Sequence, residues 1–401
     1  MVVRASIDAV IAGVAATPVT KKGPRPIRDV MFEMAREAVE DSGLDPKDID
    51  GLFLTPPGLN PELFMMFAAH MGKYLGIPTK TLTLVENGGV TAALALRFAV
   101  DEVTLGRCRA ALVIAADHRT SVVDTSDFQQ TLRQGAYAQV SLQGSYDGAF
   151  GAGAPIPFYA MSGQRYMHET GTTIEQVADC VVRLREHAAQ HPGAQFREPA
   201  TQDDILNAPM QSPPLTLPMC CPFSSGAAAA VVTSLDVAKG LKKPVARVTG
   251  VGEWHEPEHF CPVTGSMSEY KSAQMAVAEA CTQAGIKSTD VDVAEVYGVF
   301  APTELMLYED LGWCAKGKAA RWVAEGRNTW GGDIVVNPTG GRICYGHPAG
   351  ATPLMEVVEV TRHLTARAPG RQVPDARLGL IHAEHGCLNG SIVMTFERMG
   401  A

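Results

Sequence analysis

No C-x-x-C pair occurs in this sequence, and its nine cysteines lack the spacing of a disulfide framework. That excludes a disulfide-stapled secreted domain and implies reduced thiols and a cytoplasmic home. No apolar run reaches the roughly 20 residues that span a bilayer. The opening stretch MVVRASIDAVIAGVAATPV has no signal-cleavage pattern and reads as a first strand. Positive charge is scarce too: 34 Lys and Arg stand against 43 Asp and Glu, a formal net charge of −9. Without a basic cluster there is no field to hold nucleic acid phosphates. Aromatics are only 6% of the chain, so composition does not point to a steroid, aromatic or fatty substrate.

What is present is a long chain of 401 residues, 46% hydrophobic and 19% charged, with 39 glycines. That profile fits a packed α/β enzyme of two domains or of one large duplicated one. An internal repeat favours duplication. AVEDSGLDPKDID (38–50) and ACTQAGIKSTDVD (280–292) share Ala38/Ala280, Gly43/Gly285, Asp48/Asp290 and Asp50/Asp292 at a constant offset of 242. Each copy predicts a helix, a glycine stop and a strand, GLFLT in one and VAEVYGVF in the other. A second correspondence agrees. Strand 81–85, a glycine turn, the apolar helix 90–103 and strand 110–116 are matched by strand 334–336, glycines 340–341, helix 352–364 and strand 378–383. The division is a first half of 1–119 and 216–245, an inserted loop domain at 120–215, and a second half of 246–401.

Several motifs carry less than they promise. His255-Glu256-Pro257-Glu258-His259 matches the zinc pattern H-E-x-x-H, but Pro257 breaks the helix that would align the two histidines. It reads as a polar loop, and no metal site is expected. The glycines of 148–153 do not link a strand to a helix, so they read as a loop. Cys220 and Cys221 read as small buried thiols entering the strand AAAAVVTS.

Chemistry concentrates in turns at strand ends, where α/β folds place it. These are Val85-Glu86-Asn87-Gly88-Gly89, the segment NPTGGRICYGHPAGAT (337–352), HAEHGCLNG (382–390) and EVYGVF (295–300). NPTGGRICYGHPAGAT resembles the Asn-Pro-x-Gly-Gly…Gly-His-Pro-x-Gly-Ala-Thr loop of the thiolase superfamily. RYMHETGTTIEQVADCVVRLREHAAQHPGAQFREP and MCCPFSSGAAAAVV are similar to the loop domain and return strand of its sterol-carrier-protein-type (lipid-transfer-protein) branch. YEDLGWCAKGKAARWVAEG is similar to that branch's C-terminal half. The resemblance implies two mixed sheets in five α-β-α-β-α layers, an inserted loop domain and a homodimer.

It also implies site residues. His347 matches the Gly-His-Pro histidine, and His385 falls at the acid/base position, with Cys387 in that role if the register slips by two. Tyr297 stands where the family has His or Asn before its Phe, here Phe300. Asn87, Gly88, Gly89, Asn337, Gly346 and Asn389 are expected to border the substrate. The family's acyl-accepting cysteine has no counterpart, since Glu86 and its neighbours occupy that turn. Glu86 is then either a site residue or a helix cap, since the helix dipole favours an anion there. Ser225, where the branch has Asp, concerns packing.

Without a thiolate no acyl-enzyme forms at that turn. The same branch includes acyl-CoA aldolases that rely on tyrosine and histidine. The first reading is therefore a retro-aldol or aldol lyase on a β-hydroxyacyl-CoA. Tyr297 or Tyr345 would be the base, His347 a donor to the thioester oxygen, and His385 or Cys387 the group that returns a proton. A thiolase-type acyltransferase using Cys387 or Cys344 is the second reading. A non-catalytic acyl-CoA-binding subunit is the third. Coenzyme A enters only as part of the substrate, and the branch points to a small OB-fold, zinc-ribbon partner.

Overall fold

The computed structural model describes residues 6–23, 25–57, 66–117, 155–256 and 266–400. The strands are β1 (Val10–Ala16), β2 (Gly51–Leu54), β3 (Thr81–Leu84), β4 (Ala110–Asp117), β5 (Met210–Ser212), β6 (Leu215–Thr216), β7 (Gly226–Thr233), β8 (Val245–His255), β9 (Val293–Val296), β10 (Val335–Val336), β11 (Leu378–Glu384) and β12 (Gly390–Met399). The longer helices are α1 (Ile27–Ser42), α2 (Phe67–Leu75), α3 (Thr91–Thr104), α4 (Pro155–Thr170), α5 (Ile174–Ala188), α6 (Lys271–Ala284), α7 (Ala301–Asp310) and α8 (Thr352–Leu364).

The repeated unit takes the same form twice. Apolar residues at helical spacing bury one face of α1 and of α6, and Gly43 and Gly285 end the two helices with φ of 72° and 70°. The identical aspartates do identical work. Asp50 Oδ1 accepts the Arg109 and Ala110 amides that start β4, and Asp292 Oδ2 accepts the Arg377 and Leu378 amides that start β11. Strand glycines let each helix lie directly on its sheet. A Cβ at Gly13 would overlap the Ala38 carbonyl, and one at Gly250 would overlap the carbonyl of its repeat mate Ala280.

The strand order is β10-β9-β11-β12-β8-β1-β7-β4-β2-β3. Read outward from the β8–β1 junction, each half has the same five-strand plan. The two sheets expected from the sequence are these halves, joined by the short antiparallel pairing of Val10 with Arg247 and Ile11 with Ala246. Helices α3 and α8 pack on each other, α3 against first-half strands and α8 against strands of both halves, while α1 and α6 cover the outer faces. Alternation along β4 serves both layers: Ala111, Val113 and Ala115 face α3, and Leu112, Ile114 and Ala116 face α1. Between β4 and β7 the described chain forms α4, α5, the short helix Gln202–Leu206 and the β5–β6 hairpin. Helices α4 and α5 pack on α7 of the second half.

Equivalent close contacts imply equivalent costs. Gly13→Ala and Gly250→Ala should each destabilise by about 1–3 kcal/mol from overpacking, read as matching losses in urea midpoint with unchanged slope.

Candidate active site

Strands β2, β3 and β4 run parallel, as do β9, β10 and β11, so the turns that leave their C-terminal ends gather at one edge. The glycine turn after β3 meets the segment after β11 there. Gly89 N–H donates to the His385 carbonyl at 2.8 Å. A Cβ on Gly89 would sit 2.7 Å from the Tyr297 hydroxyl, and one on Gly88 3.3 Å from His385 Nε2. Adjacent Cα atoms are about 3.8 Å apart, so Tyr297 and His385 flank a single bare dipeptide. A polar hollow of about 470 Å³ lined by Asp50, Lys80 and Arg107 lies at the starts of these strands, the other end of the sheet from this chemistry.

Tyr297 and His347 form the best-defined pair, with hydroxyl and Nε2 3.3 Å apart. Thr352 Oγ1 donates to the Pro348 carbonyl and therefore accepts from His347 Nδ1–H at 3.1 Å. Nε2 then carries the lone pair and accepts from Tyr297. In that tautomer the ring's one proton goes to Thr352, so the donor role toward a thioester oxygen expected from the sequence needs a proton on Nε2 first. Burial, helped by the Arg342 charge, pulls His347 down to about 3, and burial pushes the Tyr297 hydroxyl well above its ordinary range. Both are neutral at rest. The His347 loop is sewn to the first half, since Ser224 Oγ accepts the His347 amide and Ser224 N–H donates to the His347 carbonyl.

On the opposite side, Asn389 Oδ1 accepts from His385 Nδ1 at 3.0 Å, which leaves the Nε2 lone pair facing Gly88. Cys387 lies in the same loop with φ of 54°, but it is buried, and burial and Glu384 push its thiol up to about 12. Burial likewise raises Cys344 to about 12, and it sits on the short helix Gly341–Cys344.

Other expected site residues lie elsewhere or serve the scaffold. Tyr345 packs edge-on to His191 and under Arg342. Glu86 is exposed and its Oε1 accepts the Gly88 amide at 3.1 Å, a contact within the turn that precedes α3. Asn87 donates its amide to Thr91 Oγ1 at the start of α3. Asn337 is wholly buried: Oδ1 accepts the Val296 amide and Nδ2 donates to Glu304, so it braces its loop. Gly346 provides room for Val19 and Ser224. Ser225 Oγ accepts the Gly23 amide, a packing role.

Three participants escaped the sequence reading. Glu384, at the end of β11, is wholly buried and accepts from the hydroxyls of Tyr159 and Tyr270. Its signal was a carboxylate inside the apolar run LGLIHAE. Tyr159 comes from α4 and carried no signal at all. His255, set aside with the zinc motif, stands edge-on to His385 at 5.4 Å between ring centroids and contacts Glu253 at 3.3 Å. Pro257, Glu258 and His259, like glycines 148–153, lie outside the described residues. No cluster of three or more metal-ligating side chains occurs among the described residues.

Residues 258–398 match the family described as thiolase C-terminal domain-like. An acetyl-CoA acetyltransferase from Methanocaldococcus jannaschii is 32% identical over 366 residues, covering 88% of each chain. The chain belongs to the thiolase superfamily. Its branch is the sterol-carrier-protein type. Bovine sterol carrier protein 2 is 34% identical over 250 residues, 60% of this chain and 45% of that protein. The solved Ltp2-ChsH2(DUF35) aldolase superposes with a TM-score of 0.82 at 27% identity, covering 97% of this chain and 98% of that one. The Glu86 turn and its neighbours, residues 81–90, contain no cysteine.

The thiol chemistry is directly measurable. At pH 7–8, Cys387 and Cys344 should alkylate roughly a thousandfold more slowly than a free thiol, because so little thiolate is present. Mass spectrometry after timed iodoacetamide exposure, native against denatured, checks this.

Proposed function

We propose that this thiolase-superfamily chain is an acyl-CoA carbon–carbon lyase, running retro-aldol cleavage or aldol addition on a β-hydroxyacyl-CoA. One observation carries the reading: a Tyr297–His347 hydrogen bond stands beside a glycine turn that has no thiol. A phenol alone is a poor base at neutral pH, with an ordinary pKa of about 10. Coupled to an imidazole lone pair it need never become a free phenolate. The substrate β-hydroxyl proton moves to the Tyr297 oxygen as the tyrosine's own proton passes to His347 Nε2. The carbon–carbon bond then breaks to leave a carbonyl and a thioester enolate. The enolate carbon recovers a proton, so the reaction consumes none. His347 Nε2 gives that proton back through the Tyr297 oxygen to the His385 Nε2 lone pair on the far side of Gly88, and His385 hands it to the enolate carbon, which leaves both histidines neutral as they began. Coenzyme A enters as part of the substrate.

The likeness to the Ltp2-ChsH2(DUF35) aldolase supports this reading, and its two-component name supports a partner protein here; that the partner is a small OB-fold, zinc-ribbon protein is what the resemblance to the branch implies. A homodimer is supported by β3, an outermost strand with Leu82 and Leu84 exposed on one face. Unpaired cysteines among the described residues fit a cytoplasmic home, and no described helix is long and apolar enough to cross a membrane. The acetyl-CoA acetyltransferase relative favours a second reading, thiolytic acyl transfer through Cys387. Raised, buried thiols weigh against it.

The readings separate on free coenzyme A. Cleavage of β-hydroxyacyl thioesters should proceed without added coenzyme A and leave no acyl adduct on protein quenched during turnover. Tyr297→Phe and His347→Ala should each lower kcat about a hundredfold or more, while Cys387→Ala should lower it only modestly. A trapped acyl group on Cys387 or Cys344 would replace this reading with the acyltransferase.

A further inference from the structure

Glu384 has a place in the fold that the proposed chemistry does not yet use. Its Oε1 accepts the Tyr159 hydroxyl at 2.6 Å and the Leu388 amide at 2.9 Å, and its Oε2 accepts the Tyr270 hydroxyl at 3.1 Å. The Tyr159 oxygen in turn accepts the Cys387 amide at 2.8 Å. Two successive amides of the 386–389 loop therefore hang on one carboxylate, one directly and one through a phenol. That loop needs holding. Gly386, Cys387 and Leu388 have φ of 145°, 54° and 67°, and the last two are in the left-handed region that residues with side chains disfavour. The loop ends at Asn389, whose amide oxygen sets the His385 tautomer.

We propose that ionised Glu384 is a positioning residue that locks the 386–389 loop and, through Asn389, aims the His385 lone pair at Gly88. The catalytic part of this rests on His385 as the proton carrier of the preceding reading. The grip on the loop does not. A carboxylate accepts charge-assisted hydrogen bonds roughly twice as strong as neutral ones, and a proton on Oε2 would weaken the hold at Oε1.

The titration falls in a working range. Burial pushes Glu384 up to about 7, while the bonds from Tyr159, Leu388 and Tyr270 pull it down. The groups facing it are Tyr159 from α4, Tyr270 at the start of α6, Tyr297 after β9, Cys387 in its own loop and Cys221 in the return segment. Burial raises all five, so they stay protonated. Asp310 lies behind Tyr270, accepting its amide. The sign has two parts. Glu384 rises in the folded state from an ordinary 4.5 to about 7, so the folded chain holds the proton more tightly. Its contribution to global stability therefore falls as pH rises from about 4.5 to about 7, the interval over which the loop tightens.

Hydrogen exchange read by mass spectrometry on peptides spanning 384–391, corrected for intrinsic rates, tests the grip without any substrate. Wild-type protection of the Cys387 and Leu388 amides should be about tenfold greater at pH 8 than at pH 6. Glu384→Gln should lose that pH dependence and sit at the weaker level, with a melting temperature at pH 8 no lower than wild type. Equal wild-type protection at both pH values, or wild-type protection in Glu384→Gln, overturns the proposal. If Glu384→Gln does not fold, Tyr159→Phe decides. It removes a donor to the carboxylate, so its protection inflection should move to higher pH, and an unmoved inflection overturns the proposal. In turnover, wild-type kcat should rise through an inflection near 7 with KM unchanged. Glu384→Gln should lose the inflection and about tenfold in kcat at pH 8. Exchange that behaves as stated in a chain with no lyase activity upholds the grip and sinks the lyase reading instead.

Discussion

The site depends on two charges that have no contact with water. Glu295 and Arg342 are both wholly buried, joined at 3.0 Å. Removing an ion pair from water costs several kcal/mol per ion unless the remaining polar atoms find partners. Glu295 finds them in the amide and hydroxyl of Thr339, at 3.2 and 2.9 Å. Glu356 lies 3.6 Å from Arg342 Nε, too far for a hydrogen bond, and burial pushes its carboxyl well above the ordinary carboxylate range. The pairing ties the Asn-Pro-Thr-Gly-Gly segment to β9, the strand that ends at Tyr297. Asn337 repeats the tie by accepting the Val296 amide. With both ends of one loop fixed to one strand, the His347 ring arrives beside the Tyr297 hydroxyl.

The remaining walls are brought in by packing. The return segment 220–225 bridges the halves: the Cys221 amide donates to the Val299 carbonyl, and Ser224 grips His347. Helices α4 and α5, inserted between β4 and β7, reach the second half through buried polar side chains. Tyr159 reaches Glu384, and His187 Nδ1 lies 3.0 Å from the Asn337 carbonyl. Burial pulls His187 down to about 4, so it is a neutral brace. Glycines complete the closure, since any side chain at Gly88 or Gly89 would occupy the space between Tyr297 and His385.

The Tyr297–His347 face that results is buried and uncharged. His347 and Tyr297 are both neutral, and Glu384 near neutrality is the group most easily switched. Such surroundings favour moving one proton in concert over storing a charge. They equally disfavour a resting thiolate, which is why the absence of a cysteine at the Glu86 turn and the raised thiols elsewhere point the same way.

Much of this was legible in one dimension. Period-3.6 and glycine-stop patterns located α1, α3, α6 and α8 closely, and the shared Asp50 and Asp292 marked a duplication whose hydrogen bonds turn out to be the same. His347, Tyr297 and His385 stood out because loop motifs are local, and the structure places all three around the Gly88–Gly89 turn. What sequence could not hold was orientation. Tyr345, two residues before His347, turns toward His191 while Tyr297, fifty positions away, meets the imidazole. His255 was discarded with a motif whose helix Pro257 forbids, yet strand pairing with Gly390 puts it against His385. Glu384 looked like an ordinary strand end until Tyr159 and Tyr270 closed over it. Sequence by itself determined the layers, the repeat and the absence of a cysteine from the Glu86 turn, because periodicity and residue identity are properties of neighbours along the chain. Only the tertiary structure decided which side chains face each other and which of them ionise, because burial and hydrogen-bond partners come from segments a hundred or more residues apart.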